Sequence, residues 1–294
     1  MRIGVVILPE ERWPRARARW QRAEALGFAH AWTYDHLTWR SLRDSSWFGA
    51  VPTLAAAALA TERIRLGTLV ASPNFRHPLP FAKELMTLDD LSAGRITAGL
   101  GAGGTGWDAT ALGQVAWHPV ERAERFAEFV TALDLILATP ASEYAGHYYQ
   151  ATGARSLPGC LQQPRIPFII AATGPRGFQL VARHGAGWVT TGDASVASPL
   201  LLEDAVTVVR HQLEGLEAAC AAAGRDPASV SRMVLSGLSI PGPCQSLDSL
   251  LATIDAFEAI GISDFLLHWP RASEPYRGSE ERFISVVSEA LARA

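Results

Sequence analysis

The first residues that could do chemistry are an acid and an imidazole side by side, Asp35 and His36. They follow an apolar run, Ala29–Tyr34, that is typical of a buried strand. At a strand end, Asp35 could accept a hydrogen bond from a cofactor or orient a neighbour. His36 could donate or accept a proton near neutral pH. The dipeptide alone leaves another interpretation open, in which Asp35 caps the next turn and His36 lies at the surface.

A second candidate is a glycine-rich strand end. The segment from Arg63 to Gly104 predicts a strand that runs into SPNFRHP, a helix, and a second strand that ends in GLGAGG. Four glycines there, Gly99, Gly101, Gly103 and Gly104, could form a floor where a flat ring lies close to the backbone. The spacing fits neither a Walker loop nor a Rossmann fingerprint. Tight packing between strand and helix is the alternative.

A third candidate is an anion site in AATGPRGFQLVARHGAGW, residues 171–188. A predicted strand ends in Ala-Ala-Thr-Gly, and Pro-Arg-Gly then opens a helix. The free N–H groups and the positive end of the helix dipole can bind an anion there, and Arg176 adds a charge. An ordinary Gly-Pro helix start is the alternative.

The tetrapeptide HWPR, His268 to Arg271, ends the last predicted strand and could line a substrate pocket. A strand-end histidine over a packed tryptophan explains it equally well. No metal site is expected, because the three cysteines and the remaining histidines lack ligand spacing. A hydrolase is poorly supported, because the sequence has no Gly-x-Ser-x-Gly elbow and no paired carboxylates. The other histidines are interpreted as structural, as surface residues or, for His184, as a helix end: His30, His118, His147, His184 and His211.

Two kinds of segment alternate along the chain and must position these residues. Short apolar runs predict buried parallel strands at Ile3–Leu8, His30–Tyr34, Ile64–Ala71, Arg95–Gly101, Pro167–Ala172, Gly187–Thr191, Met233–Ile240 and Asp264–Trp269. Amphipathic stretches predict helices at Trp13–Leu26, Val51–Thr61, Leu79–Leu91, Val120–Ala138, Arg176–His184, Leu200–Ala223, Ser246–Ile260 and Glu280–Arg293. Eight alternations predict an α/β fold, a (βα)8 TIM barrel, with a doubly wound open sheet as the alternative.

Three connections are longer than usual: Leu37–Ala50, Thr105–Pro119 and Pro140–Arg165. The first two follow strands, so in a barrel they are insertions at the C-terminal face, where active sites occur. The third follows a helix, has hairpin-like alternation at Tyr144–Gln150, and is expected to reach over the barrel. Because no linker or repeat divides the chain, residues 1–294 are predicted to form one domain.

Composition excludes several classes of partner. The 294 residues are 48% hydrophobic and carry a net charge of −3 without a basic stripe, so neither nucleic acid nor a membrane surface is an expected partner. No signal peptide and no run of about 20 apolar residues is present, so a cytoplasmic location is expected.

Taken together, these stretches resemble the bacterial luciferase-like superfamily of flavin- and deazaflavin-dependent oxidoreductases. The most specific part is LGTLVASPNFRHPLPFAKELMTLDDLSAGRITAGLGAG, and MRIGVVILP, RAEALGFAHAW and GPRGFQLVARHGAGW agree in order and spacing. The resemblance implies a barrel with the cofactor ring in its C-terminal mouth and a non-prolyl cis peptide near Leu69–Val70. It further implies that Ser72, Ala102 and Gly103 contact the cofactor. It places the cofactor phosphate on Thr173, Gly174, Arg176 and Gly177.

The choice of cofactor depends on Asp35 and His36. Members that use the deazaflavin F420 often have Asp-His at the end of the second strand, whereas FMN-dependent monooxygenases often have other residues there. The resemblance therefore favours F420, with FMN as the alternative. It makes Asp35 a cofactor contact and His36 the leading proton donor, with Asp108 a second catalytic candidate.

One position departs from the family pattern. F420-dependent sugar-phosphate dehydrogenases carry a glutamate where this sequence has Gly104. A reductase that transfers hydride to an activated C=C or C=N bond of a small molecule is therefore favoured. Walls of the substrate pocket are expected from Trp39, Trp107, His268 and Trp269. A homodimer is common in the family, and a non-catalytic cofactor-binding barrel is the alternative from another class.

Overall fold

The structure is a computed structural model that describes residues 1–104, 107–196 and 198–293. Its strands are β1 (Arg2–Val6), β2 (His30–Thr33), β3 (Arg65–Ala71), β4 (Ile96–Leu100), β5 (Ala141–Ala145), β6 (Gln150–Arg155), β7 (Phe168–Ala171), β8 (Gly187–Thr190), β9 (Ser231–Leu235) and β10 (Asp264–His268). Its α-helices, among these residues, are α1 (Trp13–Leu26), α2 (Ala50–Ala60), α3 (Pro78–Leu91), α4 (Trp107–Ala111), α5 (Pro119–Ala138), α6 (Pro175–His184), α7 (Leu202–Ala222), α8 (Leu247–Glu258) and α9 (Glu280–Leu291).

Eight of the strands form a closed barrel in the order β1-β2-β3-β4-β7-β8-β9-β10, and the pairs whose register is resolved are parallel. Their residues are almost all buried, which is typical of strands covered on both faces. Helices alternate with the strands. The predicted (βα)8 TIM barrel is therefore confirmed, and the open sheet is excluded.

The chain divides into two compact units. One comprises Met1–Ile7, Arg19–Trp32 and Ala172–Ala294, and the other comprises Leu8–Ala18 and Thr33–Ala171. The organisation of residues 1–294 as one domain stays a prediction. None of the helices within the described ranges is long and apolar enough to cross a membrane.

In the unit that begins at Met1, a buried polar chain joins the first residues of three strands. The indole N–H of Trp32 donates to Nδ1 of His30 over 2.7 Å, so the other ring nitrogen, Nε2, carries the proton toward Asp264, 2.9 Å away. Burial raises the pKa of Asp264, but hydrogen bonds from His30, Arg2 and Ser263 outweigh burial and lower it overall. His30 is therefore structural, one of the two interpretations offered for it.

The insertions at the C-terminal face need one correction. The connection Pro140–Arg165 was expected to reach over the barrel, but its strands β5 and β6 form a hairpin that packs along α5. Three consecutive N–H groups at the hairpin tip, residues 147–149, donate to the carboxylate of Glu128. Beyond the hairpin, Gln162 donates to the carbonyl of Ile96, the first residue of β4. This part therefore lies at the N-terminal ends of the strands, because it follows a helix rather than a strand.

Element boundaries differ most where glycine ends a strand. The strand predicted at Met233–Ile240 ends at Leu235, because Gly237 turns the chain with a φ of +89°. The short helix α4 was not predicted. It lies in the predicted insertion Thr105–Pro119, of which Thr105 and Gly106 lie outside the described residues.

A single guanidinium ties four elements of the other unit together. Arg95, before β4, uses Nε, Nη1 and Nη2 to donate to the carbonyls of Ala58, Thr61, Ile64 and Ser92 and to the hydroxyl of Thr61, over 2.7–3.1 Å. These acceptors lie in or beside α2, β3 and α3. Only arginine offers donors in such a planar fork.

We expect Arg95→Lys to lower the free energy of unfolding by about 2 kcal/mol, because an ammonium reaches fewer of these buried carbonyls. Urea denaturation followed by circular dichroism measures the change. Arg17→Lys, the same substitution on an exposed part of α1, is the matched control and should change stability by less than about 0.5 kcal/mol. Equal effects of the two substitutions would contradict the role given to Arg95.

Candidate active site

Asp35 follows β2 and lies buried against an arginine. Its two carboxylate oxygens accept from Nη2 and Nε of Arg76 over 2.8 and 2.9 Å, in the planar two-bond geometry that arginine and carboxylate prefer. The Asp35 side chain is 2% exposed. The structure thus gives Asp35 a largely buried cation as partner, and its contact with a cofactor stays a prediction.

Arg76 is held from several sides. Its guanidinium carbon lies 4.8 Å from the ring centre of Phe75 and 4.9 Å from that of Phe81, and Nη1 donates to Glu84 over 2.6 Å. Burial lowers the pKa of Arg76, but Asp35 and Glu84 outweigh burial and raise it overall. Burial has the opposite effect on an acid, and it raises the pKa of the Glu84 carboxyl. The sequence analysis missed Arg76, although it stands in the SPNFRHP segment that was singled out.

His36 is paired with the second catalytic candidate. Nδ1 of His36 lies 2.7 Å from Oδ2 of Asp108, which α4 carries 72 residues further along the chain. The other oxygen of Asp108 accepts the backbone N–H groups of Leu37 and Thr38 over 2.7 and 3.1 Å. The Asp108 side chain is 2% exposed, whereas that of His36 is 20% exposed. The structure brings these two predicted residues together.

Aromatic rings surround this pair. Trp39 is buried, with its ring centre 5.1 Å from that of Tyr34 and 6.2 Å from that of Trp47, on which it stacks. The indole N–H of Trp47, which the sequence analysis did not single out, donates to the carbonyl of His36 over 2.8 Å. Trp107, the other predicted wall residue of this unit, is 41% exposed. These rings limit the positions that the His36 side chain can take.

The glycine-rich floor is built by close packing of β3 and β4. A Cβ on Gly99 would meet the carbonyl oxygen of Thr68, and a Cβ on Gly101 would meet the side chain of Val70. The peptide bond between Leu69 and Val70 is cis, as the resemblance implies. These two glycines are therefore required by packing between neighbouring strands, whereas the alternative offered from the sequence was packing between strand and helix.

The next residues include a buried polar group without a partner in the described structure. Ser72 is 1% exposed, and its hydroxyl has no hydrogen-bond partner among the described residues. Gly103 has a φ of +81°, and a Cβ there would meet the side chain of Asn74, which is 3% exposed and was not singled out. Ala102 lies between the two glycines, half-buried. A buried hydroxyl without a partner fits a bound polar ligand.

The predicted anion site belongs to the other compact unit. Gly174 caps α6 in extended conformation, φ −152° and ψ 173°, and no side chain caps the helix. A Cβ on Gly174 would meet nothing within 4 Å, whereas one on Gly177 would lie 2.6 Å from the Cβ of Ala172. Thr173 and Arg176 are exposed. Free N–H groups at an open helix start fit an anion such as a phosphate, and Gly177 is also needed for packing.

The last predicted pocket residues, in the same unit, are buried. His268 stacks on Tyr276 with ring centres 3.5 Å apart, and burial lowers its pKa to about 3. Trp269 is 2% exposed, and its ring lies 5.4 Å from that of Phe283 on α9. Both observations favour the packing interpretation of HWPR, and a role in a substrate pocket stays a prediction. Within the described part of the chain, no three His, Cys, Asp or Glu side chains are grouped so that they could hold a metal ion.

Comparisons with known proteins agree on one family. A family model of luciferase-like monooxygenases matches residues 1–245. The chain is 30% identical over 233 residues to the F420-dependent hydroxymycolic acid dehydrogenase of Mycobacterium tuberculosis, covering 78% of this chain and 60% of that protein. It is 38% identical over 176 residues to the F420-dependent glucose-6-phosphate dehydrogenase of Beutenbergia cavernae, covering 58% of this chain and 50% of that protein. The matches thus span about half of the curated relatives' length.

Solved structures share the fold. An F420-dependent secondary alcohol dehydrogenase in complex with an F420–acetone adduct superposes with a TM-score of 0.80, at 18% identity, covering 98% of this chain and 97% of that one. A monooxygenase from Streptomyces bottropensis superposes equally well, with a TM-score of 0.80, at 22% identity, covering 100% and 99% of the two chains. At these identities the likeness concerns the fold.

We expect the buried, neutral His268 to lower the free energy of unfolding as the pH is lowered. An unfolded histidine binds its proton near pH 6.5 and the folded one only near pH 3, so this contribution is complete above pH 6.5 and is lost as pH falls toward 3. Urea denaturation measures the free energy of unfolding between pH 7 and pH 4.5. Below pH 6.5 it should fall by about 1.4 kcal/mol per pH unit more in the wild type than in His268→Phe. His211→Gln, at an exposed histidine, should keep the wild-type slope. An unchanged slope in His268→Phe would contradict the burial effect.

Proposed function

This chain belongs to the luciferase-like monooxygenase family, and on that premise we propose that it is an oxidoreductase that uses the deazaflavin F420. The single observation behind this proposal is the His36–Asp108 hydrogen bond. It fixes the proton of the imidazole on Nδ1 and leaves the other nitrogen of this partly exposed ring for a ligand. The curated relatives named F420-dependent support the choice of cofactor. Since they are matched over about half of their length, the activity of the whole protein is part of the proposal.

The described residues fit such a cofactor. We assign contacts with its ring to Leu69, Val70, Ser72, Ala102 and Gly103, and the unpartnered hydroxyl of Ser72 supports this assignment. We assign its phosphate to Thr173, Gly174, Arg176 and Gly177, at the uncapped start of α6. When bound, F420 supplies two-electron hydride chemistry to the site.

The chain's own contribution is to hold and move a proton at His36. The carboxylate of Asp108 can only accept, so Nδ1 of His36 carries the proton between them and Nε2 is the nitrogen that exchanges a proton with the substrate. Asp108 is itself fixed by the N–H groups of Leu37 and Thr38. Nε2 must take up a proton before it can give one, and Nδ1 keeps its hydrogen bond to Asp108 in either state. Asp108 thus acts through His36 as a positioning residue.

The proposed reaction is reduction of a small molecule with an activated C=C or C=N bond. In this direction His36 donates a proton from Nε2 to the acceptor. Gly104 supports the choice over sugar-phosphate oxidation, since it puts no carboxylate where the sugar-phosphate dehydrogenases carry glutamate. A cytoplasmic location and a homodimer remain predictions.

The second candidate is an FMN-dependent monooxygenase. The description of the family model and the fold shared with a Streptomyces bottropensis monooxygenase favour it. The third, a non-catalytic cofactor-binding barrel, requires that the His36–Asp108 pair be only structural. Cofactor titration distinguishes the FMN-dependent monooxygenase from the proposed function, and the rates of the wild type and of His36→Ala distinguish the non-catalytic barrel.

We expect His36→Ala to lower kcat about a hundredfold or more and to leave cofactor affinity unchanged, because it removes the proton donor. Asp108→Asn should lower kcat about tenfold to a hundredfold, and the double variant should be no slower than His36→Ala. Steady-state rates with reduced F420 and a panel of unsaturated acceptors measure these effects. Exposed His211→Ala is the control. Unaltered rates in His36→Ala would refute its role as proton donor, and an absence of turnover by the wild type would support the non-catalytic barrel instead.

We expect the protein to bind F420 at least about tenfold more tightly than FMN, and Gly174→Val to weaken that binding by a similar factor, or ~1.4 kcal/mol. Valine tolerates the extended conformation at 174, and a Cβ there has no protein atom within 4 Å, so the substitution is aimed at a bound ligand. Gly242→Val, at another open glycine, is the matched control. Equilibrium titration with each cofactor is the measurement. Tight FMN binding without F420 binding would refute the choice of cofactor, and unaltered affinity in Gly174→Val would refute the phosphate site.

A further inference from the structure

We propose that the substrate is an anionic molecule with an apolar body, whose carboxylate or phosphate is bound by Arg43 and Arg122. The inference rests on the proposed function, because both arginines contact the chain segment that carries Asp108. Neither residue belongs to the proton-holding pair or to the assigned cofactor contacts. The two arginines therefore add a binding element that the proposed reaction alone does not require.

Arg43 places a cation on the residue that precedes Asp108. Its guanidinium carbon lies 5.2 Å from the ring centre of Trp107, the residue immediately before Asp108. Its side chain is 54% exposed, and within the described ranges its ion pair is with the 92% exposed Asp44, at a long distance of 3.8 Å. A guanidinium over the face of an indole can still donate its N–H groups to a carboxylate or phosphate.

Arg122 reaches the same segment from α5. Its Nη1 donates to the carbonyl of Gly104 over 3.1 Å. Across the described ranges, no carboxylate lies within ion-pair distance of Arg122, and its neighbour Glu121 lies 3.9 Å from Arg125 instead. Gly104 and Trp107 are three residues apart, so their Cα atoms are at most about 11 Å from each other. Both cations therefore contact the short stretch of chain that leads into Asp108.

The charge balance around these arginines favours an anion. Asp35 is neutralised by Arg76, and Asp108 is engaged by His36 and two backbone N–H groups. Arg122 lies in the first turns of α5, whose start has no side-chain cap and contributes a partial positive charge.

The surface beside the arginines is apolar. Four large hydrophobic side chains of this unit are between 41% and 52% exposed: Leu37, Phe48, Trp107 and Leu112. They lie in the two insertions that the His36–Asp108 hydrogen bond joins. Exposed apolar side chains with a few polar groups among them are usual for a ligand site. Together with the two cations they fit an amphiphilic acid better than a neutral or cationic molecule.

The test compares an anionic probe with its neutral counterpart. Octanoate and 1-octanol are titrated into the F420-loaded protein by isothermal titration calorimetry. We expect octanoate to bind at least about tenfold more tightly, with an affinity that falls as salt concentration rises. The double variant Arg43→Met/Arg122→Met should bind both probes equally. The matched control, Arg17→Met/Arg63→Met at two exposed arginines elsewhere, should keep the wild-type preference.

Two outcomes would overturn the inference: equal binding of the probes by the wild type, or an undiminished preference for octanoate in the double variant. The affinity for F420 is measured on the same samples. If the double variant loses F420 as well as octanoate, the arginines hold the cofactor rather than the substrate, and the inference fails. If the wild type binds no F420 but still prefers octanoate in its cofactor-free form, the proposed function fails while the anion site is supported.

Discussion

Eight short parallel strands with no exposed face must satisfy every backbone N–H and C=O group by pairing with a neighbour. A closed ring of strands does so without leaving an edge, and the rest of the structure depends on that closure. Closure brings the carboxyl ends of the strands to one end of the barrel, and Asp35, Ser72 and Ala102 follow three of those ends. Close approach of β3 to β4 then leaves no room for side chains at Gly99 and Gly101. One constraint on the backbone thereby explains both the fold and the glycine-rich sequence.

Two consecutive residues at the end of β2 have different tasks because their side chains have different partners. Asp35 is buried and forms a planar pair with Arg76, so its charge is compensated inside the protein. His36 remains partly exposed and forms its hydrogen bond with Asp108, which leaves Nε2 for a ligand. The first residue fixes the chain where the strand ends. The second residue is the one that the proposed reaction uses.

The sequence allowed the barrel to be predicted because strand and helix periods are local properties. The helix Trp13–Leu26 was predicted to the residue, since its apolar repeat and the glycine that follows lie next to each other in sequence. Partners were harder to predict. Arg76 is 41 residues from Asp35, and Asp108 is 72 residues from His36, so no local pattern links them. The third long connection was wrongly expected to reach over the barrel for the same reason, because no local pattern shows that its hairpin packs along α5.

The site predictions divide along a similar line. Residue types and motif order were enough to name His36, Asp108 and Ser72 as candidates, but not to show that Asp108 would face the imidazole. HWPR was ambiguous because alternation along β10 does not reveal how deeply its end is buried. The structure answers with a stacked His268 and a Trp269 packed on α9.

The placement of Asp108 on α4 has a consequence for how such a protein can change over evolutionary time. The stretch from α4 to the start of α5, residues 107–118, contributes to no barrel strand, yet it supplies the partner of His36. The connection that follows α4, residues 112–118, is therefore free to vary in length and character without disturbing the barrel, provided that the carboxylate on α4 stays in the same place. Descendants of one ancestral enzyme could then acquire different substrates while they inherit the same proton-handling pair.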